Sequence, residues 1–297
     1  MTKQLIFLIV FVGLLGVSSL FIWPSTPTSS DPIPVQSQSV PHQVIPKQVS
    51  KLQDTPTVSA KNIFILDRNS KVVLFEKDAD SEIYPASTTK MMTAIVAYEH
   101  FSLDRVITVQ KAYPEGSNIH LQPGETMTVA DLLYALLVQS ANDAAEIIAD
   151  AYPGGKVAFV AAMNSKAQKI NLFHTNFLNP TGLDQDGHFS SASDLARIAD
   201  HLLQTPYLAK AVATENAVVA STSSAGFHSL SNVNRLLGSV SGVLGVKTGF
   251  TDKAGEALVT LVNRDGHEVI ISLLGSTDRF TDTKKIIDWV YSSFTWQ

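Results

Sequence analysis

The sequence predicts a mixed α/β fold in which one antiparallel sheet, built from both ends of the domain, carries an inserted helical lobe. Two observations predict this class. Strand-like segments joined by hairpin turns stand at both ends of residues 58–297, and apolar runs with helical spacing lie between them. No internal repeat interrupts this order, so residues 58–297 are expected to form one domain.

The elements follow in chain order. The first hairpin is predicted from strands at 62–66 and 72–75 around Arg68-Asn69-Ser70. Apolar residues at helical spacing then predict five helices, at residues 87–99, 129–138, 142–151, 157–170 and 193–203. A second hairpin is predicted from strands at 257–263 and 267–274, because Asp265-Gly266 between them is a typical two-residue turn. A last helix is marked by Ile286, Trp289, Val290 and Phe294.

The first 23 residues are predicted to form a signal anchor or transmembrane helix. Residues 5–23 carry no charge and are about nineteen residues long, enough to cross a bilayer core of roughly 30 Å. Lys3 precedes them, which places the amino end in the cytoplasm and the domain outside. A cleaved signal peptide, with a secreted domain, is the alternative.

Residues 24–57 are predicted to be a linker rich in Pro, Ser and Gln, with seven prolines that prevent a packed core. We expect a tether there, although a spacer without a required length has the same composition. The chain has 22 basic and 27 acidic residues and no block of Lys and Arg, so it is not expected to bind nucleic acid. It has no cysteine, and its eight histidines lack metal-binding spacing, so we expect neither disulfides nor a metal site.

Three short strings indicate the chemistry: Ser87-Thr88-Thr89-Lys90, Ser140-Ala141-Asn142 and Lys247-Thr248-Gly249. Each string alone is weak evidence, and their order along the chain supplies the specificity. Ser87 and Lys90 share one face of the predicted helix at its positive end. A lysine can take a proton only when it is neutral, and burial or a nearby second cation such as Lys247 would lower its pKa.

The second and third strings supply polar groups of different kinds. The Ser140 hydroxyl and the Asn142 carboxamide lie between two predicted helices, where they can relay a proton and orient an amide, or merely cap the second helix. Lys247 and Thr248 on a strand edge can bind a carboxylate, and Gly249 allows another backbone to come close.

With these strings the chain resembles the D-alanyl-D-alanine carboxypeptidase family of low-molecular-mass penicillin-binding proteins, from about residue 57 to the end. Asn179-Pro180-Thr181-Gly182 and Gly187-His188 extend the resemblance. It implies a β-lactamase/DD-peptidase-like fold, with a five-stranded antiparallel sheet flanked by helices. It also implies peptidoglycan stem peptides ending in D-Ala-D-Ala as substrates, β-lactam antibiotics as inhibitors and no cofactor.

The resemblance also implies roles for individual residues. Ser87 would be the nucleophile, Lys90 its base, and Ser140 the group that passes a proton to the leaving D-alanine. Asn142 would hold the substrate amide. Lys247, Thr248, Gly249 and Phe250 would bind the substrate: the first two at its terminal carboxylate, and the N–H of Phe250 in an oxyanion hole with that of Ser87.

Alternative functions share these strings. A D,D-endopeptidase would cleave peptidoglycan cross-links at the same site, and a wall-tethered scaffold would keep the fold without turnover. A class A β-lactamase needs a glutamate that activates water. Between Asn142 and Lys247 the only glutamates are Glu146 and Glu215, and neither has an asparagine four residues later. Only about fifty residues follow Lys247, so neither the β-rich C-terminal domain of many relatives nor a C-terminal membrane helix is expected.

Overall fold

A five-stranded antiparallel sheet is the central element of the structure, a computed structural model that describes residues 44–49, 55–223 and 226–297. Its strands, in spatial order, are β3 (Val73–Lys77), β2 (Asn62–Asp67), β10 (His267–Ser276), β9 (Gly255–Arg264) and β8 (Val243–Thr251). Strands from both ends of the domain therefore meet in one sheet, as the sequence predicts.

The two predicted hairpins are both present. Asp67 Oδ1 accepts hydrogen bonds from the backbone N–H and the hydroxyl of Ser70, which closes the turn between β2 and β3. Asp265 and Gly266 join β9 to β10 with φ values of 54° and 85°. Positive φ at both positions is what a two-residue hairpin turn requires.

The described residues contain seven α-helices. They are α1 (Lys90–His100), α2 (Val129–Val138), α3 (Asn142–Asp150), α4 (Gly155–Lys169), α5 (Ala192–Leu202), α6 (Pro206–Val212) and α7 (Arg279–Ser293). All of the predicted helices are found, and α6 was not predicted. The helix predicted over 87–99 begins later than expected, because Ala86–Thr89 form a 3₁₀ turn and α1 starts at Lys90.

Three short strand pairs were not predicted. They are β4 (Val106–Thr108) with β5 (Thr126–Thr128), β6 (Asn216–Ala220) with β7 (Phe227–Ser231), and β1 (Pro46–Gln48) with β11 (Phe294–Trp296). Phe294, expected in the last helix, thus begins a strand. Strands of three to five residues are too short to show a clear alternation of apolar and polar residues.

Both faces of the central sheet are buried. Ile63 and Ile65 of β2 pack with α7 in one core, and Phe64 and Leu66 pack in the larger core formed by the helical lobe. Because successive strand side chains point to opposite faces, this explains why every residue of β2 is buried. The helical lobe lies on the sheet face opposite α7. The residues of the three strings lie where this lobe meets β8.

The predicted membrane segment, residues 1–23, lies outside the described residues, and so do residues 24–43 and 50–54 of the predicted linker. Within the ranges that the structure describes, no helix is long and apolar enough to span a bilayer. One part of the predicted linker is structured: Pro46–Gln48 pair in antiparallel register with the last strand of the chain.

Candidate active site

Ser87 lies on the 3₁₀ turn that precedes α1. The turn is fixed by Thr88, whose backbone N–H and hydroxyl both donate to Pro85 O, at 3.3 and 2.6 Å. Ala86 has a φ of 50°, a backbone conformation that a non-glycine residue adopts at a cost in energy. Ser87 is half-buried, whereas its neighbours in the turn are buried, so the turn presents this one hydroxyl to solvent.

Lys90 Nζ lies 3.0 Å from Ser87 Oγ, as the three-residue spacing predicts. The same nitrogen donates to Thr181 O at 2.7 Å. Asn179 Oδ1 in turn accepts from the Thr181 N–H, the Thr181 hydroxyl and the Gly182 N–H, which fixes this loop. A neutral Lys90 amine could donate to the Thr181 carbonyl and present its lone pair to the serine hydroxyl.

The environment of Lys90 favours this neutral form. Burial holds the pKa of the Lys90 ammonium well below its ordinary value, and the nearby charge of Lys247 lowers it further. Glu146 and Asp143 act in the opposite direction. Burial and Lys247 are the two causes that the sequence predicts, and the fold supplies both.

Ser140 and Lys247 form a second hydroxyl–amine pair, 107 residues apart in sequence, with Lys247 Nζ donating to Ser140 Oγ at 2.9 Å. Ser140 lies between α2 and α3 with a φ of 62°, and both side chains are buried. Neither Ser140 nor Asn142 caps α3, because its N-cap is Ala141, which makes no side-chain capping bond. The capping alternative is therefore wrong.

Arg279 completes the electrostatics around Lys247. Burial, followed by the Arg279 charge, lowers the pKa of Lys247 to about 7. Arg279 Nη1 donates to Gly249 O at 2.7 Å, so this guanidinium lies directly behind β8. Arg279 is not among the site residues that the sequence predicts. A signal was available, since Arg279 is the first residue of α7, where the helix dipole disfavours a cation.

Asn142, the first residue of α3, is held from two sides. Its backbone N–H donates to Ser117 O at 2.6 Å, and its side-chain Nδ2 donates to Glu115 O at 3.0 Å. An amide nitrogen carries two hydrogens, so the second N–H and the amide oxygen are able to meet a ligand.

Strand β8 passes very close to the nucleophile. A Cβ added at Gly249 would lie 3.0 Å from Ala86 Cβ and 3.1 Å from both Pro85 O and Ser87 N, tighter than ordinary contacts. A side chain at this position would therefore push the two segments apart by a few tenths of an ångström. Thr248 is buried, whereas the side chain of Phe250 is 58% exposed, and β8 is the edge strand of its sheet.

The structure thus brings all three strings together in one site. It contains a half-buried serine hydroxyl, a buried amine beside it, and a second serine–lysine pair next to an edge strand. Such an arrangement is suited to nucleophilic catalysis through a serine ester, with a lysine rather than a histidine as the base.

The comparisons with known proteins agree with this geometry. The sequence profile of the D-alanyl-D-alanine carboxypeptidase family matches residues 48–278. The chain is 33% identical over 258 residues to the D-alanyl-D-alanine carboxypeptidase DacF of Bacillus subtilis, covering 84% of this chain and 66% of that protein. It is 30% identical over 285 residues to a D-alanyl-D-alanine endopeptidase of Pseudomonas aeruginosa, and this match covers 93% of this chain and 88% of that protein.

Solved structures show the same fold. The crystal structure of a Streptomyces DD-transpeptidase superposes with a TM-score of 0.76 at 32% identity, over 80% of this chain and 99% of that one. A penicillin-binding protein homologue from Mycobacterium tuberculosis gives a TM-score of 0.77 at 29% identity, over 83% and 96%. The predicted DD-peptidase-like fold is therefore confirmed.

Proposed function

Because this chain belongs to the D-alanyl-D-alanine carboxypeptidase family, we propose that it is a serine hydrolase that removes the terminal D-alanine from peptidoglycan stem peptides. The observation that carries the proposal is the 3.0 Å contact between Ser87 Oγ and a fully buried Lys90 amine with a strongly lowered pKa. β-Lactam antibiotics, which resemble the D-alanyl-D-alanine terminus, acylate the same serine in this proposal.

The reaction starts with proton transfer from Ser87 to the neutral Lys90 amine. Ser87 Oγ then bonds to the carbonyl carbon of the penultimate D-alanine, and the N–H groups of Ser87 and Phe250 stabilise the resulting oxyanion. The C–N bond breaks as Ser140 passes a proton to the leaving nitrogen and takes up in its place the proton that Lys90 removed from Ser87, so that Ser140 is again a hydroxyl and Lys90 a neutral amine. The neutral Lys90 amine then takes a proton from water, the water oxygen bonds to the ester carbon, and the bond to Ser87 Oγ breaks as Lys90 returns the proton to that oxygen, which releases the shortened peptide.

The terminal carboxylate of the substrate binds to Lys247 and Thr248. A lysine with a pKa of about 7 is only partly protonated in the free site at neutral pH. A bound carboxylate favours the ammonium form, so binding of this substrate itself charges Lys247. Gly249 keeps β8 against Ser87, and Asn142 donates its second N–H to the amide carbonyl on the acyl side.

A D,D-endopeptidase acting on cross-links is the second candidate. The match with this chain covers 88% of the length of the Pseudomonas aeruginosa endopeptidase and 66% of the length of the Bacillus subtilis carboxypeptidase. Both reactions use the same acyl-enzyme and differ in the amine that leaves, which is free D-alanine in one and a cross-linked peptide in the other.

We further propose that the domain acts outside the cytoplasmic membrane, held by residues 1–23 as an uncleaved anchor. The support is the uncharged stretch of about nineteen residues after Lys3. Peptidoglycan stem peptides are found on that side, which makes the location consistent with the proposed substrate.

The test is mass spectrometry of the protein with three compounds: a diacetyl-lysyl-D-alanyl-D-alanine peptide, a cross-linked stem-peptide dimer and penicillin. We expect release of one D-alanine and a penicilloyl adduct, with both abolished in Ser87→Ala. Cleavage of the dimer alone would favour the endopeptidase. Rapid penicillin hydrolysis without peptide cleavage would indicate a β-lactamase, and an adduct that persists in Ser87→Ala would contradict the nucleophile.

A further inference from the structure

A cleft with charged walls adjoins Asn142, and the reaction proposed above uses none of its charged side chains. We call it the acyl-side cleft. It is lined by Ala112, Tyr113, Pro114, Glu115, Asn142, Glu146, Lys156, Thr181 and Leu183. Thr181, whose carbonyl holds Lys90, forms part of its wall, so the cleft begins at the catalytic residues themselves.

Glu146 is the buried charge of this cleft. It lies one turn after Asn142 on α3, so the two side chains share a face of the helix. Glu146 is only 8% exposed. A carboxylate this deeply buried is stable only with a partner, and Lys156 of α4 provides one.

Lys156 stands at the mouth of the same cleft. Its Nζ lies 2.9 Å from Glu146 Oε1 and 2.7 Å from Oε2, while its side chain stays 43% exposed. The cleft therefore presents a carboxylate at depth and an ammonium towards solvent. Tyr113, which also lines the cleft, donates a hydrogen bond to Asp150, which fixes the position of its ring.

We propose that the acyl-side cleft binds a substrate side chain that ends in both an ammonium and a carboxylate group. The inference rests on the proposed function, in which Asn142 holds the amide between the penultimate D-alanine and the residue before it. The side chain of that preceding residue starts beside Asn142. Its ammonium would meet Glu146 and its carboxylate would meet Lys156, so the ion pair of the free protein exchanges for two new ones.

This charge arrangement discriminates among diamino acids. A 2,6-diaminopimelyl side chain supplies both charges, whereas a lysyl side chain supplies only an ammonium, which Lys156 repels. An Nε-acetyl-lysyl side chain supplies neither charge and leaves the ion pair intact. We expect the diaminopimelyl peptide to have the highest kcat/KM, by about tenfold over the lysyl peptide, a factor typical of one charge-assisted hydrogen bond.

The test compares kcat/KM for D-alanine release from three peptides that differ only in this side chain. In Lys156→Met the preference should reverse, because the unpaired Glu146 then attracts the lysyl ammonium and the diaminopimelyl carboxylate loses its partner. In Glu146→Gln the advantage of the diaminopimelyl peptide should become smaller, because its ammonium loses its partner while its carboxylate keeps Lys156. Lys169→Met is the matched control, since Lys169 is an exposed lysine at the other end of α4. This control should keep the wild-type order of kcat/KM among the three peptides.

The outcomes separate this inference from the function on which it rests. Equal kcat/KM for the three peptides in the wild-type protein would overturn the proposal that the acyl-side cleft binds this side chain. The proposed carboxypeptidase activity would be unaffected by that result. An unchanged order in Lys156→Met, with the protein folded, would also overturn it. Absence of D-alanine release from all three peptides would overturn the proposed function, and the inference with it.

Discussion

At the scale of single residues, the charge balance around Lys90 sets the pH at which the proposed nucleophile becomes active. The Lys90 amine must be neutral, so acylation is lost as the pH falls through its pKa. Glu146 raises that pKa, against the lowering by burial and Lys247. Replacing Glu146 by Gln removes a charge that favours the ammonium form.

We therefore expect Glu146→Gln to move the acidic limb of the pH profile to lower pH. The measurement is the second-order rate constant for penicillin acylation between pH 4 and pH 9. Glu115→Gln is the matched control and should leave the limb in place, because Glu115 is an exposed residue that lines the same cleft. A limb that stays in place or moves to higher pH in Glu146→Gln would contradict this electrostatic account.

Gly249 gives a second prediction at this scale, which concerns distance rather than charge. A methyl group at this position would lie 3.1 Å from Ser87 N, so β8 and the nucleophile turn must move apart by a few tenths of an ångström. Since a misplacement of 1 Å can cost about 100-fold in rate, we expect Gly249→Ala to acylate roughly tenfold more slowly. Its melting temperature should change little. A rate equal to that of wild type would show that the close approach is not needed for catalysis.

At the scale of elements, the loop from Asn176 to Ser190 is fastened to the nucleophile turn by His188. The His188 Nδ1 atom accepts from the Leu178 N–H at 3.3 Å, and Nε2 lies 3.0 Å from Thr89 Oγ1. Because Nδ1 accepts, the ring proton is on Nε2 and is donated to Thr89. Burial lowers the pKa of His188 to about 4, against a smaller opposing effect of Asp184.

This lowered pKa predicts a loss of stability in acid. Between about pH 6.5 and pH 4 the unfolded chain binds a proton at His188 that the folded protein does not, so stability rises with pH across this window. Acidification from pH 7 to pH 4 should cost about 3 kcal/mol through this group. In thermal melts, the difference in free energy of unfolding between wild type and His188→Gln should become smaller as the pH falls from 7 to 4. A difference independent of pH would contradict the prediction.

Elements also show how far the sequence could predict the site. The spacing of Ser87 and Lys90 predicts their contact, because it depends only on local helical geometry. The contact between Ser140 and Lys247 depends on how the helical lobe meets β8, which no local pattern encodes, so it was not predicted, and the family resemblance implied only a separate role for each residue. Thr181 belongs to a string that extends the resemblance, but its contact with Lys90 was not predicted, because it is made by a backbone carbonyl and a carbonyl has no sequence signature.

At the scale of the whole molecule, the two ends of the described domain are joined by strands β1 and β11. Pro46–Gln48 pair with Phe294–Trp296, and Val49 N–H adds a hydrogen bond to Ser293 O at 2.9 Å. Trp296 then stacks on His267 with ring centroids 4.8 Å apart, and its Nε1 donates to Asp67 Oδ2 at 2.7 Å. Part of the predicted linker, Pro46–Gln48, thus belongs to the folded domain, although it precedes the first strand of the central sheet in the sequence.

A chain that begins at residue 58 should therefore be less stable than one that begins at residue 44. Loss of β1 exposes one edge of β11 and loosens Trp296, which we expect to cost about 1–2 kcal/mol. For a domain of this size the melting temperature should fall by roughly 2–8 °C. The rate of penicillin acylation of Ser87 should be unchanged at temperatures below the melting transition, because β1 and β11 do not contact the two serine–lysine pairs. Trp296→Ala in the longer chain should reproduce part of the loss. Equal melting temperatures for the two chains would show that residues 44–57 serve only as a tether.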